Sequence, residues 1–187
     1  MIAQGSDTRL APAEPPYEDG VARTLDRLMG GAGAEPLLLF RTIAHNPALL
    51  DKLRSTGTYL LNFGTLEPLD REIVVLRTCA RCACEYEWGV HVAIFAEAVG
   101  LTSEQVAATA GDRTPFDTRQ RALLTLVDEL HDTSTISGDL WDELRASYRP
   151  DQLVELVTLV GQYHTVSFTA NALGVQLETF GARFPSA

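Results

Sequence analysis

The segment that decides the fold covers residues 71–106, REIVVLRTCARCACEYEWGVHVAIFAEAVGLTSEQV. Its first half carries apolar residues at helical spacing, namely Ile73, Val74, Leu76 and Ala80. A β-strand is the alternative for the β-branched stretch IVVLRT, but the length and flanks of the apolar pattern favour a buried helix. The first half is therefore predicted to be helical.

The second half of this segment is expected to form another helix over residues 84–100. Gly100 suits the position just past a helix end, where a left-handed backbone conformation is common. Thr102 and Gln105 have the spacing of a capping box, which predicts the start of a further helix. The segment is thus predicted to contain three consecutive helices.

The rest of the chain shows similar patterns separated by glycine and proline. Further helices are expected over residues 21–31, 36–46, 47–63 with a possible break near Gly57, 115–132, 137–148 and 150–174. We predict an all-α fold in a single domain over residues 21–187, after a flexible N-terminal arm over residues 1–20. The last helix is apolar on most sides, so we expect a homo-oligomer in which it is buried.

Composition excludes several classes of function. The chain has 187 residues, of which 45% are hydrophobic, and a formal net charge of −10. An acidic surface repels phosphate backbones, so nucleic acid is not an expected partner. No stretch of about 18 apolar residues exists to span a membrane, and the N-terminus lacks the apolar core of a signal peptide. A cytoplasmic protein with reduced thiols and a small-molecule substrate is expected.

The three cysteines, Cys79, Cys82 and Cys84, lie within six positions. Packing is the first interpretation for Cys79 and Cys82, because cysteine is among the most buried residue types. A disulfide inside a helix is disfavoured, since side chains three residues apart are separated by about 5–6 Å at Cβ whereas a disulfide needs about 3.5–4.5 Å. Zinc bound by three thiolates and His91 is disfavoured because this spacing on a continuous helix does not wrap a tetrahedron. No metal and no cofactor are expected.

Cys84, Glu87 and His91 fall on one face of a helix, at positions i, i+3 and i+7. Histidine can shuttle a proton near neutral pH, and a carboxylate can orient its ring. A cysteine at a helix start is expected to have a lowered pKa. Glu72 joins this group only if the preceding helix folds back, and no glycine or proline marks such a bend. For Glu87 and His91, a structural and a functional role both remain open on this basis.

The other histidines have simpler interpretations. His45 and His164 sit among apolar residues and are each expected to be satisfied core histidines rather than catalysts. His131 lies near a predicted helix end, where a favourable contact with the helix dipole explains it.

The quoted segment resembles the carboxymuconolactone decarboxylase family, which includes the AhpD-like alkylhydroperoxidases. The resemblance covers roughly residues 36–180 and implies an all-helical trimer or hexamer with a site between helices. AhpD-like peroxidases carry a glutamate, a Cys-x-x-Cys pair and a histidine, which correspond here to Glu72, Cys84, Glu87 and His91. Glu87 therefore replaces the second cysteine of the redox motif, and EYEWGVH is similar to the decarboxylase-like members.

The resemblance implies a cofactor-free lyase or isomerase with Glu72, Cys84, Glu87 and His91 as the catalytic set. Its substrate would be a small lactone or carboxylic acid, and the site would work by Glu/His acid–base chemistry. The arginines that lie nearest in sequence are candidates to hold a substrate carboxylate; they are Arg71, Arg77 and Arg81. A thiol peroxidase using Cys84 and a non-catalytic oligomeric binding protein remain the alternatives.

Overall fold

The computed structural model describes residues 8–31, 33–111 and 113–185. Within these ranges the chain forms nine α-helices and one short π-helix, with no β-strand. The α-helices are α1 (Asp19–Leu28), α2 (Leu38–Ile43), α3 (Pro47–Asn62), α4 (Pro68–Arg81), α5 (Glu85–His91), α6 (Ser103–Thr109), α7 (Thr118–Thr133), α8 (Gly138–Ser147) and α9 (Pro150–Leu173), and the π-helix is Val92–Ala96. The predicted all-α fold is confirmed.

Helix α4 is the centre of the fold. Its apolar residues Ile73, Val74, Val75 and Leu76 are fully buried, because the helix packs against α5, α7 and α9 together. A helix covered on several sides needs apolar residues around most of its circumference, which explains why this stretch also has the composition of a buried strand. The helical prediction for it is confirmed.

A tight turn connects α4 to α5 without a glycine. Ala83 adopts a left-handed conformation with φ of 49°, and the amide of Cys84 donates to the carbonyl oxygen of Cys79 at 2.8 Å. This conformation costs a non-glycine residue roughly 1–2 kcal/mol. The turn reverses the chain, so that α5 packs back onto α4 and the fold-back required to bring Glu72 near His91 is present.

The single helix expected over residues 84–100 is wrong in detail. Helix α5 ends at His91, and the π-helix follows it directly. Short π-helical segments are rare and frequently occur at functional sites. Gly100 has φ of 81° and the capping box between Thr102 and Gln105 is formed, so these two local predictions are confirmed.

The N-terminal segment lies against its own chain over the residues that the structure describes. The amides of Arg9 and Leu10 donate to the carbonyl oxygen of Leu173 at 3.1 Å, and the amide of Ala13 donates to that of Arg41 at 3.1 Å. Residues 1–7 of the predicted arm lie outside the described ranges, and the boundary at residue 20 stays a prediction.

Helix α9 leaves part of its apolar surface uncovered in the monomer. Val154 is 69% exposed and Phe168 is 57% exposed, which is consistent with the expected homo-oligomer but does not test it. Oligomerisation stays a prediction that light scattering can check. In the described part of the chain, no helix combines the length and the apolarity needed to cross a bilayer.

Candidate active site

The candidate site is built around His91, whose ring lies at the end of α5. The side chain is only 3% exposed. Its Nδ1 atom lies 2.7 Å from Oε2 of Glu72, on α4. The sequence alone did not show whether Glu72 reaches His91. The structure shows that the two side chains form a direct hydrogen bond between α4 and α5.

Arg71 holds the second oxygen of Glu72. Its Nε donates to Oε1 of Glu72 at 3.0 Å, and its Nη1 donates to the carbonyl oxygen of Leu61 at 2.8 Å. The Glu72 carboxylate is fully buried and is fixed between a guanidinium and an imidazole. A buried charge needs such partners, since an unpaired carboxylate in this position would be strongly destabilising.

Two further groups face the other ring nitrogen. The hydroxyl oxygen of Tyr163, on α9, lies 3.0 Å from Nε2 of His91, and Oε1 of Glu87 lies 3.4 Å from the same atom. The Tyr163 ring also meets the imidazole edge to face, with centroids 5.1 Å apart. Tyr163 was missed by the sequence analysis, although it stands directly before His164. Only the packing of α9 against α5 brings it to the site.

The surrounding charges set the protonation state of the site. Burial disfavours the imidazolium, but the Glu72 and Glu87 carboxylates outweigh it and raise the pKa of His91 to about 9. Burial also works against ionised Glu72, but His91 and Arg71 hold the pKa of that carboxyl below its ordinary value. Burial and the two carboxylates raise the pKa of Tyr163 well above its ordinary value. At neutral pH the site therefore contains an imidazolium, an ionised Glu72 and a protonated tyrosine.

A cavity of about 430 Å³ opens beside this cluster. His91, Glu87 and Tyr163 contribute to its wall, and most of the remaining lining is apolar, as with Leu39 and Phe95. A concave, largely apolar space with a few converging polar groups is the usual form of a small-molecule site. The reactive groups thus have a place to meet a substrate.

Cys84 lies outside this arrangement. It is fully buried at the N-terminal end of α5 and is not part of the cavity wall. Burial and the charge of Glu87 raise the pKa of its thiol to about 12, although a backbone hydrogen bond from Glu87 acts in the opposite direction. The lowered pKa expected from its helix position is wrong, because burial dominates. Its inclusion in the catalytic set stays a prediction.

The three arginines that were predicted to bind a substrate carboxylate form ion pairs within the protein. Arg77 forms a two-point ion pair with Asp128, at 2.8 and 2.9 Å, and Arg81 lies 3.3 Å from the same carboxylate. None of the three predicted arginines lines the cavity, whereas Arg27 and Arg54 do. Helical periodicity could not reveal this, because the ion-pair partner lies on α7.

The predictions for the remaining cysteines and histidines are confirmed for some residues and wrong for others. Cys79 is fully buried, as expected for packing, and all three cysteines are free thiols. His45 is exposed and lies 2.9 Å from the carbonyl oxygen of Ala11, so its prediction as a core histidine is wrong. His164 is half-buried, with its Nε2 2.9 Å from Nδ1 of His131.

Comparison with solved structures identifies the fold. An uncharacterised peroxidase-related protein from Silicibacter sp. TM1040 superposes with a TM-score of 0.80, at 17% identity over 96% of each chain. The alkylhydroperoxidase AhpD core of an uncharacterised peroxidase-related protein from Ralstonia eutropha JMP134 gives a TM-score of 0.75, at 16% identity over 94% of this chain and 95% of that one. A cysteine-to-alanine variant of the debrominase Bmp8, solved in complex with 2,3,4-tribromopyrrole, gives a TM-score of 0.71, at 16% identity over 93% of this chain and 94% of that one. The fold is therefore AhpD-like.

A family model matches the central part of the sequence. Residues 47–129 match the model of the carboxymuconolactone decarboxylase family, and this range contains Glu72, Cys84, Glu87 and His91. This central segment, which is less than half of the chain, is therefore similar to the carboxymuconolactone decarboxylase family. No curated protein matches the sequence significantly.

Proposed function

We propose that the protein is a cofactor-free lyase or isomerase that acts on a small lactone or carboxylic acid by proton transfer through His91. The observation that carries the proposal is the buried imidazolium at the cavity wall, hydrogen-bonded to Glu72 on one side and facing Tyr163 and Glu87 on the other. A histidine in this setting is placed to act as an acid and as a base in turn.

The reaction begins when the substrate loses CO₂, or when the Glu87 carboxylate takes the proton next to the substrate's carbonyl group. The electron pair of the broken bond moves into the carbonyl system and produces an enolate. The protonated ring donates from Nε2 to the Tyr163 oxygen, which leaves the Tyr163 hydroxyl hydrogen free to donate to the enolate oxygen. Donors fixed in a water-poor cavity stabilise such developing charge more than donors in water do. A proton from His91 then quenches the carbanion.

The two carboxylates have different tasks in this scheme. Glu72 is fixed by Arg71 and holds Nδ1, so it sets the orientation of the ring and keeps Nε2 directed towards the cavity. Glu87 lines the cavity and returns to Nε2 a proton that it has taken from the substrate or, after loss of CO₂, from water. A pair of carboxylates around one imidazole thus permits the ring to return to its protonated state after each turnover.

The cavity also limits the substrate class. A volume of about 430 Å³ with mainly apolar walls suits a small ring that carries few charges. Arg54 lines the cavity and pairs with Asp51 at 3.1 Å. We assign to it the binding of a substrate carboxylate, which adds a charge-assisted hydrogen bond without a metal.

The test is turnover of an unsaturated five-membered lactone that carries a carboxylate. The purified protein, without added cofactor, is expected to release CO₂ or to exchange the carbon-bound hydrogen next to the carbonyl with deuterium from the solvent. Tyr163→Phe removes the donor while keeping the ring, and is expected to lower the rate by about 10–100-fold.

Two results would favour the alternatives. Peroxide reduction that depends on Cys84 would support a thiol peroxidase. Tight binding of lactone acids without release of CO₂, isomerisation or exchange would support a binding protein. The raised pKa of the Cys84 thiol and the glutamate at the resolving position weigh against the peroxidase, because disulfide closure needs a reactive thiolate and a second thiol.

A further inference from the structure

A second cluster of chemically reactive side chains lies apart from the cavity. Cys82 stands at the C-terminal end of α4, His131 in the last turn of α7, and His164 in the middle of α9. None of the three contributes to the cavity wall. We propose that these three residues bind one zinc ion through Cys82 Sγ, His131 Nδ1 and His164 Nε2, with a fourth position left for water.

The distances are close to those of a tetrahedral site. Cys82 Sγ lies 4.0 Å from His131 Nδ1, which lies 2.9 Å from His164 Nε2, and all three ligand atoms fall within 4.8 Å of one another. Ideal zinc bond lengths place a sulfur and a nitrogen ligand roughly 3.6 Å apart and two nitrogen ligands roughly 3.4 Å apart. Side-chain rotations that shift the ligand atoms by roughly one ångström or less would complete the geometry.

The tautomer of His164 is already the one that a metal requires. Its Nδ1 lies 2.9 Å from the carbonyl oxygen of Val160, so Nδ1 carries the hydrogen and the Nε2 lone pair points towards His131. Metal-binding histidines usually donate their other ring N–H to a carbonyl or carboxylate in this way. Without a metal, His131 must turn an N–H towards that lone pair. With zinc, the Nδ1 lone pair of His131 and the Nε2 lone pair of His164 would both face the ion.

Charge and exposure also suit a cation. Each of the three ligands is half-buried, so an ion can enter from solvent while part of the site stays dry. The nearby guanidinium of Arg81 is paired with Asp132 at 2.5 Å and with Asp128 at 3.3 Å, which offsets its repulsion. The side-chain amide of Asn171 donates from Nδ2 to the carbonyl oxygen of Cys82 at 2.8 Å and fixes the backbone that carries the thiol.

Binding would proceed without redox chemistry. The Cys82 thiol releases its proton to solvent and becomes the thiolate ligand, while the His131 hydrogen moves from Nδ1 to Nε2 through water. The ion would then join α4, α7 and α9 at the end of α4, just before the turn at Ala83. This site departs from the expected absence of metal, because two of its ligands come from helices far along the sequence.

The experiment uses the full untagged chain, stripped of metal with a chelator. Titration with Zn²⁺ against a chromophoric chelator is expected to give one ion per chain, and Co²⁺ is expected to give a thiolate charge-transfer band in the near ultraviolet. Cys82→Ser and His164→Asn are each expected to weaken zinc binding by about 100-fold or more, since each removes a direct ligand.

Matched controls keep the test specific. Cys84→Ser removes a thiol and His45→Gln removes an imidazole outside the cluster, and both are expected to bind zinc like the natural chain. Circular dichroism of the metal-free variants checks that each is folded, and the cobalt spectrum of the natural chain tests thiolate ligation without any variant. No stoichiometric binding, unchanged affinity in folded Cys82→Ser and His164→Asn, or a cobalt spectrum without the thiolate band would each overturn the proposal in favour of a plain histidine–histidine hydrogen bond.

Discussion

The molecule contains two imidazole clusters with opposite environments. His91 is deeply buried between two carboxylates, and its pKa is raised to about 9. His131 and His164 are half-buried and face each other, and burial together with the nearby Arg81 lowers the pKa of His131. The first environment favours the protonated His91 ring, and the second favours a neutral His131 ring.

This difference shows that the partners of a histidine decide its chemistry. Carboxylates on both ring nitrogens favour the imidazolium and suit acid–base catalysis. One ring nitrogen of His164 faces the carbonyl oxygen of Val160, and the other faces His131, which lies beside the Cys82 thiol. Such a set of nitrogen and sulfur atoms suits a transition metal. The two clusters share helices, since Tyr163 and His164 are neighbours on α9, yet adjacent side chains of a helix point in different directions.

The largest effect is expected from His91→Ala. Removal of the ring deletes the proton carrier, so turnover of the lactone acid should fall by about 10²–10⁴-fold, the usual range for a general acid or base. Steady-state kinetics measures this, and circular dichroism serves as the folding control. A rate within threefold of the natural protein would show that His91 is structural.

Glu72→Gln tests the group behind the ring. The amide keeps the shape but removes the charge that stabilises the imidazolium, so turnover is expected to fall by on the order of 100-fold. The alkaline limit of the profile of kcat/KM against pH should also move to lower pH. An unchanged limit would mean that Glu72 does not set the protonation of His91.

Stability should depend on pH through the same pair. The pKa of His91 is raised in the folded state, so its contribution is fully present below the ordinary value of 6.5 and is lost as pH rises through about 9. The pKa of Glu72 is lowered, so its contribution is present above 4.5 and is lost as pH falls through the folded value. Between pH 6.5 and pH 10 the free energy of unfolding should fall by on the order of 2 kcal/mol.

Denaturant unfolding at several pH values measures this dependence. His91→Gln is the matched variant, and its unfolding free energy should vary less over the same interval. An equal alkaline loss in that variant would assign the effect to other groups. The His131 ring should not add to this alkaline loss, because its pKa is lowered rather than raised.

The smallest effect is expected from Cys84→Ser. The thiol is buried away from the cavity and its pKa is raised to about 12, so lyase turnover should stay within about tenfold, which is about 1.4 kcal/mol of barrier. The natural protein should also show negligible thiol-dependent peroxide reduction. An inactive serine variant together with brisk peroxide reduction would replace the acid–base account with a redox one.

Local patterns predicted the central part of this molecule well. The apolar period of α4 and the spacing of Glu87 and His91 follow from helical geometry, and the all-α fold follows from the capping and breaking signals along the chain. The resemblance of residues 71–106 to a known family then directed attention to Glu72. These are features in which a few neighbouring residues determine the outcome.

The remaining features depend on contacts between distant segments. The turn with left-handed Ala83 contains no glycine, so the sequence did not predict it. The turn forms because α5 becomes buried against α4. Tyr163 reaches His91 across 72 positions, and His164 meets His131 across 33. Helical periodicity identifies which face a residue occupies but not which helix packs against that face.

The most direct test of the central claim is an NMR titration of the His91 ring, with ¹⁵N chemical shifts distinguishing the imidazolium from the neutral tautomers. The account predicts that His91 stays protonated at neutral pH and titrates with a pKa of about 9, and that Glu72→Gln lowers this value. A pKa at or below the ordinary 6.5 in the natural protein would contradict the account, because the ring would then be neutral and could not supply the proton.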